Sequence, residues 1–214
     1  MKKNILLIML VLIGITCNVN ATNDKIEISN RYISETLYKA GYSDTPEVIK
    51  NCILELKRIA KYYPENWLTP YYISLYNLRL VLNRSIKDYT NELEEAKQTI
   101  PLIMNIKNAD LSEVYTLKGM YQYVYLSKYS SFLGKSTYKK MIEQFDKAIQ
   151  LKPSNPRAKM LKFLAQYLLG KNLGYAIDNE KMKIDEITAL LNNENATSPY
   201  PSWGKEIWKV LMNR

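Results

Sequence analysis

The fold of this chain is decided by the stretch Phe145-Asp146-Lys147-Ala148-Ile149-Gln150-Leu151-Lys152-Pro153-Ser154-Asn155-Pro156-Arg157-Ala158. It begins as the last turns of an amphipathic helix and is broken at Pro153. A second helix starts at Pro156, since proline suits the first turn of a helix but not its interior. Two antiparallel helices joined in this way form the unit of a helical repeat. Proteins built from such repeats commonly bind other molecules rather than transform them.

The rest of the chain has the same helical character. Its 214 residues include only 7 glycines, they contain no alternating runs of valine and threonine, and apolar residues recur at three- and four-residue spacing. We therefore predict an all-α fold in a single domain. The predicted helices are Asn30–Ala40, Pro46–Tyr63, Pro70–Asn83, Ile86–Ile106, Leu111–Tyr129, Tyr138–Leu151, Pro156–Leu169 and Asn172–Asn193, with a short helix at the C-terminus.

Cap and turn residues set these predicted boundaries. Thr69 suits the N-cap of the third helix, and Ser112 lies near the cap of the fifth. Pro101 lies inside the fourth helix and is expected to kink or divide it. Residues 22–30 are predicted to be a polar leader, and residues 130–137 a loop of small residues.

Residues 1–21 are predicted to form a signal peptide. They have a basic start at Lys2-Lys3, an unbroken apolar run from Ile5 to Ile13, and the small or apolar residues Val19-Asn20-Ala21 before a cleavage site. The apolar run is too short to span a bilayer, which takes about 20 residues. The mature chain is then a domain of residues 22–214, exported to the periplasm or secreted, with no stable membrane span.

Two alternatives for the N-terminal segment stay open. One is an uncleaved membrane anchor. The other is a lipid anchor at Cys17, for which Gly14-Ile15-Thr16 is a poor approach to a lipobox. We favour cleavage after Ala21.

Charge and rare residues exclude several kinds of site. The formal net charge is +9, and removal of Lys2-Lys3 lowers it to +7. Basic proteins can meet anionic surfaces, but here basic and acidic residues are interspersed, so no nucleic-acid partner is predicted. The chain has no histidine, which removes His-based triads and most zinc sites. Cys52, flanked by Ile49 and Ile53, is expected to be a buried apolar residue rather than a nucleophile.

No catalytic site is predicted. Glu92, Glu94 and Glu95 crowd together as the carboxylates of a glycosidase would. Their helix also carries lysines, however, which favours a solvated charged face. The sequence contains no Gly-rich phosphate loop, no nucleophile elbow and no cluster of metal ligands. We therefore expect neither a cofactor nor a bound metal.

The helix pairs resemble tetratricopeptide repeats (TPRs). The residues that match the repeat pattern are Tyr115, Gly119, Phe145, Ala148 and Pro153. The chain departs from the pattern at Met141, which replaces a small residue and follows Gly119 by 22 positions rather than about 12. The resemblance implies a right-handed α-α superhelix, that is, a TPR-like solenoid of three to four helix pairs with a short C-terminal capping helix.

Over residues 46–208 the chain is also similar to a family of small exported TPR-like proteins of Bacteroidota. Three patches carry this similarity, namely Arg58-Ile59-Ala60 followed by Trp67-Leu68-Thr69-Pro70-Tyr71-Tyr72, then Asn155-Pro156-Arg157-Ala158, then Pro201-Ser202-Trp203-Gly204. The resemblance implies a helical repeat protein of the cell envelope without catalytic residues.

A stacked solenoid has a concave groove that suits an extended peptide or a partner helix. Taking the register from Gly119 and Asn155, the groove candidates are Tyr71, Glu113, Tyr123, Arg157 and Tyr167. Tyrosine suits a binding surface because it joins a flat apolar ring to a hydroxyl. For Tyr71 and Tyr123 packing between helices is an equally good interpretation, and for Arg157 the alternative is an ordinary place in the first turn of its helix.

The sequence thus predicts a non-catalytic interaction module of the bacterial cell envelope, which binds a peptide or a partner protein in the groove. The alternative is a non-catalytic binder of envelope carbohydrate or another small ligand, since Trp67, Trp203 and Trp208 could stack on sugar rings. We favour packing roles for these tryptophans. The sequence does not determine the oligomeric state.

Overall fold

The structure is a computed structural model and describes residues 23–41, 43–83, 85–129, 134–170, 173–175 and 179–212. The predicted signal peptide and Cys17 lie outside these residues. Within them every regular element is a helix and no strand occurs, which confirms the predicted all-α class.

The α-helices of the described residues are numbered here in chain order. They are α1 (23–40), α2 (Pro46–Tyr62), α3 (Leu68–Leu82), α4 (Thr90–Ile103), α5 (Leu111–Lys128), α6 (Gly134–Leu151), α7 (Pro156–Ala165), α8 (Glu180–Asn192) and α9 (Lys205–Met212). A π-helical segment, Gln166–Gly170, continues α7 to one residue past the predicted helix end at Leu169.

Several pairs of helices run antiparallel, because contacts join their opposite ends. Near the end of α3, Arg79 Nη2 donates to Asp44 Oδ1 just before α2, at 3.0 Å. In the first turn of α5, the Ser112 hydroxyl donates to the carbonyl oxygen of Ala148 near the end of α6, at 2.8 Å. The helical hairpin predicted from residues 145–158 is therefore repeated along the chain.

The third helix is buried on nearly all sides. Twelve of the 15 residues of α3 are buried, so the helix must be covered around its whole circumference rather than along one stripe. It packs against α2, α4 and α5. This central position explains why its sequence is mostly apolar or aromatic, with Arg79 as its one charged residue.

A close approach at Gly119 holds α5 against α6. A Cβ atom built on Gly119 would lie only 2.4 Å from Cε1 of Phe145. A residue without a side chain is therefore required for the phenylalanine ring to reach the backbone of α5. Phe145 is fully buried, and both residues belong to the TPR-like pattern.

One predicted N-cap is wrong. Thr69 lies inside α3, and the amide of Leu68 donates to the side-chain oxygen of Asn66 at 3.0 Å. The N-cap of α5 is Asp110, and Ser112 lies near it as predicted, since its backbone amide donates to the Asp110 carboxylate at 2.9 Å. Asp and Asn suit these places because their side chains reach the amide two residues ahead.

Other boundaries differ from prediction by about one or two turns. Residues 23–29, predicted as a polar leader, are helical and bury Ser29. The sixth helix begins at Gly134, inside the predicted loop. Pro101 lies in the last turn of α4, so the helix ends at Ile103 instead of bending and continuing. The eighth helix begins only at Glu180.

None of the helices in the described part of the chain combines the length and the apolar character that a bilayer crossing needs.

Candidate functional site

Three of the five predicted groove residues meet in one buried network. Tyr71 comes from α3, Glu113 from α5 and Arg157 from α7, and each is at most 2% exposed. One carboxylate oxygen of Glu113 accepts from the hydroxyl of Tyr71 at 2.8 Å. The other accepts from Nε of Arg157 at 3.0 Å. The network therefore ties three helices together.

The turn that decided the fold also positions the network. Asn155 caps α7, and its side-chain oxygen accepts from the backbone amide of Arg157 at 3.0 Å. The side-chain nitrogen of Asn155 donates to Glu113 at 2.8 Å and to the hydroxyl of Ser112 at 2.9 Å. Asn155 thus fixes both the first turn of α7 and the position of the Glu113 carboxylate.

The network is covered by residues 194–204, which link α8 to α9 and are named the strap here. The carboxylate of Glu194 accepts from both terminal nitrogens of Arg157, at 2.8 and 2.7 Å. The indole nitrogen of Trp203 donates to the hydroxyl of Tyr71 at 2.8 Å. The strap therefore crosses from α7 to α3 over the network.

This arrangement differs from the open groove that we expected around Tyr71, Glu113 and Arg157. The repeat register places the three residues on one inner face, but the strap lies over that face and buries them. The register could not reveal this, because it concerns the helix pairs and not the path of the segment after them. The role of these residues in binding a partner stays a prediction.

The other two predicted groove residues lie elsewhere. Tyr123, on α5, is half-buried against the core, and burial raises its pKa. Tyr167, in the π-helical segment, is 46% exposed. Its ring stacks on that of Phe163 with 5.9 Å between centroids. The structure therefore brings together three of the five predicted residues.

Burial dominates the electrostatics of the network. It raises the pKa of Glu113, although Arg157 and the hydrogen bond from Tyr71 act in the opposite direction. Burial alone would lower the pKa of Arg157, but the carboxylates of Glu113 and Glu194 outweigh it and raise that pKa. Burial also raises the pKa of Tyr71, so its hydroxyl remains a hydrogen-bond donor. Because its charges are paired with one another, the network suits the fixing of a structure better than acid–base chemistry.

A second cluster of aromatic rings lies on the outer part of α5. Tyr121, Tyr125 and Tyr129 follow one another at four-residue spacing and so share a helix face. Their successive ring centroids are 6.3 and 4.9 Å apart. Tyr89, just before α4, adds a ring 6.2 Å from that of Tyr129. These four rings are named the tyrosine platform here. Tyr129 is 45% exposed and the other three are half-buried.

Lysine side chains border the tyrosine platform. The ammonium nitrogen of Lys128 lies 4.8 Å from the ring centroid of Tyr89. Burial raises the pKa of Tyr121. The nearby ammonium group of Lys97, on α4, acts in the opposite direction. The platform therefore presents neutral aromatic rings beside two ammonium groups, of which that of Lys97 pairs with Glu94 at 3.0 Å. Such a surface suits a flat aromatic ligand that carries acidic groups.

The predicted packing roles of two tryptophans are confirmed. Trp67 and Trp208 are both buried, and the ring of Trp208 meets that of Phe163 edge to face at 5.6 Å. Trp203 is half-buried and belongs to the strap. The structure therefore gives no open indole surface for sugar rings at Trp67 or Trp208.

The described residues do not bring together side chains that could bind a metal ion. They contain no group of three or more histidine, cysteine or acidic side chains placed to hold a metal ion. Cys52 is buried, as predicted, and burial raises its pKa from 9.0 to about 11. It is therefore a thiol at neutral pH and a poor metal ligand or nucleophile.

Comparison with known proteins bears on the fold. No protein-family model matches the chain, and no curated protein sequence matches it. Among solved structures, the chain is similar to the HusA haemophore from Porphyromonas gingivalis. The TM-score is 0.71 and the sequence identity 18%, over 87% of this chain and 90% of that one. At this identity the similarity shows a shared helical fold along nearly the whole chain.

Proposed function

We propose that this protein is a non-catalytic carrier that binds a flat aromatic ligand of the haem type at the tyrosine platform. The observation that carries the proposal is the row of rings at Tyr121, Tyr125 and Tyr129, with Tyr89 beside it and ammonium groups at its border. Porphyrin faces stack on phenol rings, and the acidic groups of haem attract lysine. The fold shared with a haemophore supports this ligand class.

Haem would be the cargo of this protein, and the residues present fit it through stacking and charge. The chain has no histidine, so an iron ligand from the protein would be tyrosine, methionine or cysteine. Cys52 is buried and protonated. Burial raises the pKa of Tyr129, which disfavours the phenolate that ligates iron. The porphyrin ring and its acidic groups therefore supply most of the recognition.

Titration of haemin into the protein, followed by its visible absorption, tests the proposal. We expect saturable binding by the wild type. The variant Tyr125→Ala/Tyr129→Ala loses two stacking rings, worth about 1–3 kcal/mol together, so its affinity should fall roughly 5- to 150-fold.

The matched control is Tyr38→Ala/Tyr62→Ala, which removes two tyrosines that are 89% and 75% exposed on α1 and α2. Its affinity should equal that of the wild type. Absence of saturable haemin binding by the wild type, or equal losses in the two double variants, overturns the proposal.

A second candidate function is the predicted binding of an extended peptide or an envelope partner protein. One observation favours it, namely that the inner face of the helices already holds a non-helical segment of the chain, the strap, which turns at residues 197–200. We also retain the TPR-like solenoid as a proposal, supported by the antiparallel helix pairs and by the contact between Gly119 and Phe145.

We propose that the protein acts outside the cytoplasm. The support is the N-terminal sequence, with its basic start, apolar run and small residues up to Ala21. Mass spectrometry of the mature protein tests this point. A chain that starts at Thr22 agrees with the proposal, an acylated start at Cys17 replaces it with a lipid anchor, and an intact Met1 contradicts both.

A further inference from the structure

We propose that the inner face formed by Tyr71, Tyr72 and Arg157 is a peptide-binding site, and that the strap is its built-in, releasable occupant. The partner is a non-helical segment of another protein that carries a carboxylate and, nine residues later, an indole, with a turn between them as in the strap. This proposal rests on the second candidate function and is independent of haem binding.

The strap meets the inner face as a peptide ligand would. The carboxylate of Glu194 engages Arg157 with two hydrogen bonds. A backbone carbonyl, that of Pro199, accepts from the hydroxyl of Tyr72 at 2.7 Å. The indole of Trp203 donates to Tyr71 at 2.8 Å. A side-chain charge, a main-chain carbonyl and an aromatic N–H of one non-helical segment thus bind the inner face, on either side of a turn in which the amide of Tyr200 donates to the carbonyl of Thr197 at 2.9 Å. Rigid receptors recognise peptides through the same kinds of group.

The inner face keeps its own partners when the strap is absent. Arg157 would still contact both oxygens of Glu113, at 3.0 and 3.1 Å. Tyr71 would still donate to Glu113, at 2.8 Å. Removal of one partner from a buried charge is costly because the other charge is left unpaired. Here Glu113 stays paired with Arg157, so the strap can leave without leaving the Arg157 charge unpaired.

The strap is held by hydrogen bonds at four of its residues, Glu194, Ser198, Pro199 and Trp203. Six of its eleven residues are exposed, and its buried residues are Pro199, Pro201 and Gly204. The helix that follows has anchors of its own, since Trp208 in α9 donates to the hydroxyl of Thr188 in α8 at 2.8 Å. The strap is therefore a loop between two docked helices, and it can open while α8 and α9 stay in place.

The peptide site and the tyrosine platform use different faces of α5. Glu113, which supports the inner face, lies eight, twelve and sixteen residues before Tyr121, Tyr125 and Tyr129, and these spacings place the platform on other sides of the helix. A change at the strap should therefore leave haemin binding unaltered. Failure of one proposal is then distinguishable from failure of the other.

A disulfide lock provides the sharpest test. The hydroxyl oxygens of Ser34 in α1 and Ser198 in the strap are 3.1 Å apart, so Ser34→Cys/Ser198→Cys places two thiols within reach of a disulfide. Cys52 is buried, and Cys17→Ser in all proteins removes the other thiol. The probe is a fluorescein-labelled peptide with the sequence of residues 193–204, and its binding is followed by anisotropy.

The proteins compared are the wild type, the locked variant, and Glu194→Ala/Trp203→Ala, in which the strap loses two anchors. The last should bind the peptide at least ten-fold more tightly than the wild type. The oxidised lock should bind none, and reduction should restore wild-type binding. A peptide with the changes Glu194→Gln and Trp203→Ala should bind to none of them.

Equal peptide binding by the oxidised and reduced lock overturns the proposal, as does equal binding of the altered peptide. If Glu194→Ala/Trp203→Ala does not fold by circular dichroism, Glu194→Gln alone takes its place, since it keeps the indole and loses only the charge. No gain in affinity in a folded variant also contradicts the proposal. Haemin binding measured in the same proteins should not change.

Discussion

Glu113 and Arg157 form an almost fully buried ion pair between α5 and α7, with 3.0 Å between the carboxylate and Nε. The same carboxylate accepts from Tyr71 and Asn155, so the variant Glu113→Ala leaves three donors without their acceptor. Arg157 keeps Glu194 as a partner, but three buried donors lose an acceptor, which together costs about 3–5 kcal/mol. We expect a loss of that size in the free energy of unfolding, measured with urea.

The matched control for this prediction is an exposed pair. Glu55 and Arg58 lie one turn apart on α2 and both are more than half exposed. The variant Glu55→Ala should cost less than about 1 kcal/mol. A loss at Glu113→Ala no larger than that of the control would show that the network contributes little to stability.

The contact between Gly119 and Phe145 gives a second prediction. The variant Gly119→Ala puts a methyl group 2.4 Å from the ring, so the helices must separate or the ring must move. We expect a loss of about 1–3 kcal/mol in unfolding free energy. The change Phe145→Leu in the Gly119→Ala background should recover part of it, because the shorter side chain leaves room for the methyl group.

Gly134, at the start of α6, is the control for this substitution. A Cβ atom added to Gly134 would have a side-chain atom of Leu173 as its nearest neighbour, at 3.8 Å, which is an ordinary van der Waals distance. The variant Gly134→Ala should be neutral or slightly stabilising. Equal losses at both glycines would contradict the close approach between α5 and α6.

Alkaline pH should destabilise the protein through Cys52 and Tyr76. Burial raises the pKa of Cys52 from 9.0 to about 11 and that of Tyr76 from 10.0 to about 12. At a pH between the two values given for a group, that group is deprotonated in the unfolded chain but still protonated in the folded chain. The stability due to these groups is therefore complete below about pH 9 and is lost as the pH rises towards 11 and 12. Cys52 and Tyr76 are hydrogen-bonded to each other, so each affects the pKa of the other and their contributions to stability are coupled.

Urea unfolding at several pH values from 8 to 11 measures this effect. The wild type should lose stability steadily above pH 9, and Cys52→Ala should show a shallower decline because one of the two groups is gone. Parallel declines in the two proteins would mean that Cys52 titrates at its ordinary pKa in the folded state.

The sequence determines most of the helices because the signals that specify them are local. Pro156 and Asn155 lie beside the turn that they specify, and the apolar spacing around Phe145 fixes which side of α6 is buried. The repeat register even brings Tyr71, Glu113 and Arg157 to one inner face, although they are far apart in the chain. These inferences need only the periodicity of a helix and the stacking of neighbouring pairs.

The functional surfaces depend on contacts that local patterns do not encode. The strap reaches Tyr71 and Tyr72 from more than 120 residues away, and no spacing rule predicts its path. The tyrosine platform has a partial signal, the four-residue spacing of Tyr121, Tyr125 and Tyr129. Tyr89 joins it from another segment, so the complete cluster appears only in the fold.

The lysines at the tyrosine platform lead to a prediction about ligand choice. If Lys97 and Lys128 attract the acidic groups of the ligand, haemin should bind more tightly than its dimethyl ester, and added salt should weaken haemin binding more than ester binding. The variant Lys97→Gln/Lys128→Gln should reduce this preference several-fold while its affinity for the ester changes little. The control is Lys209→Gln in α9, an exposed lysine that pairs with Glu206. A preference for haemin that survives in the double variant would show that stacking alone selects the ligand.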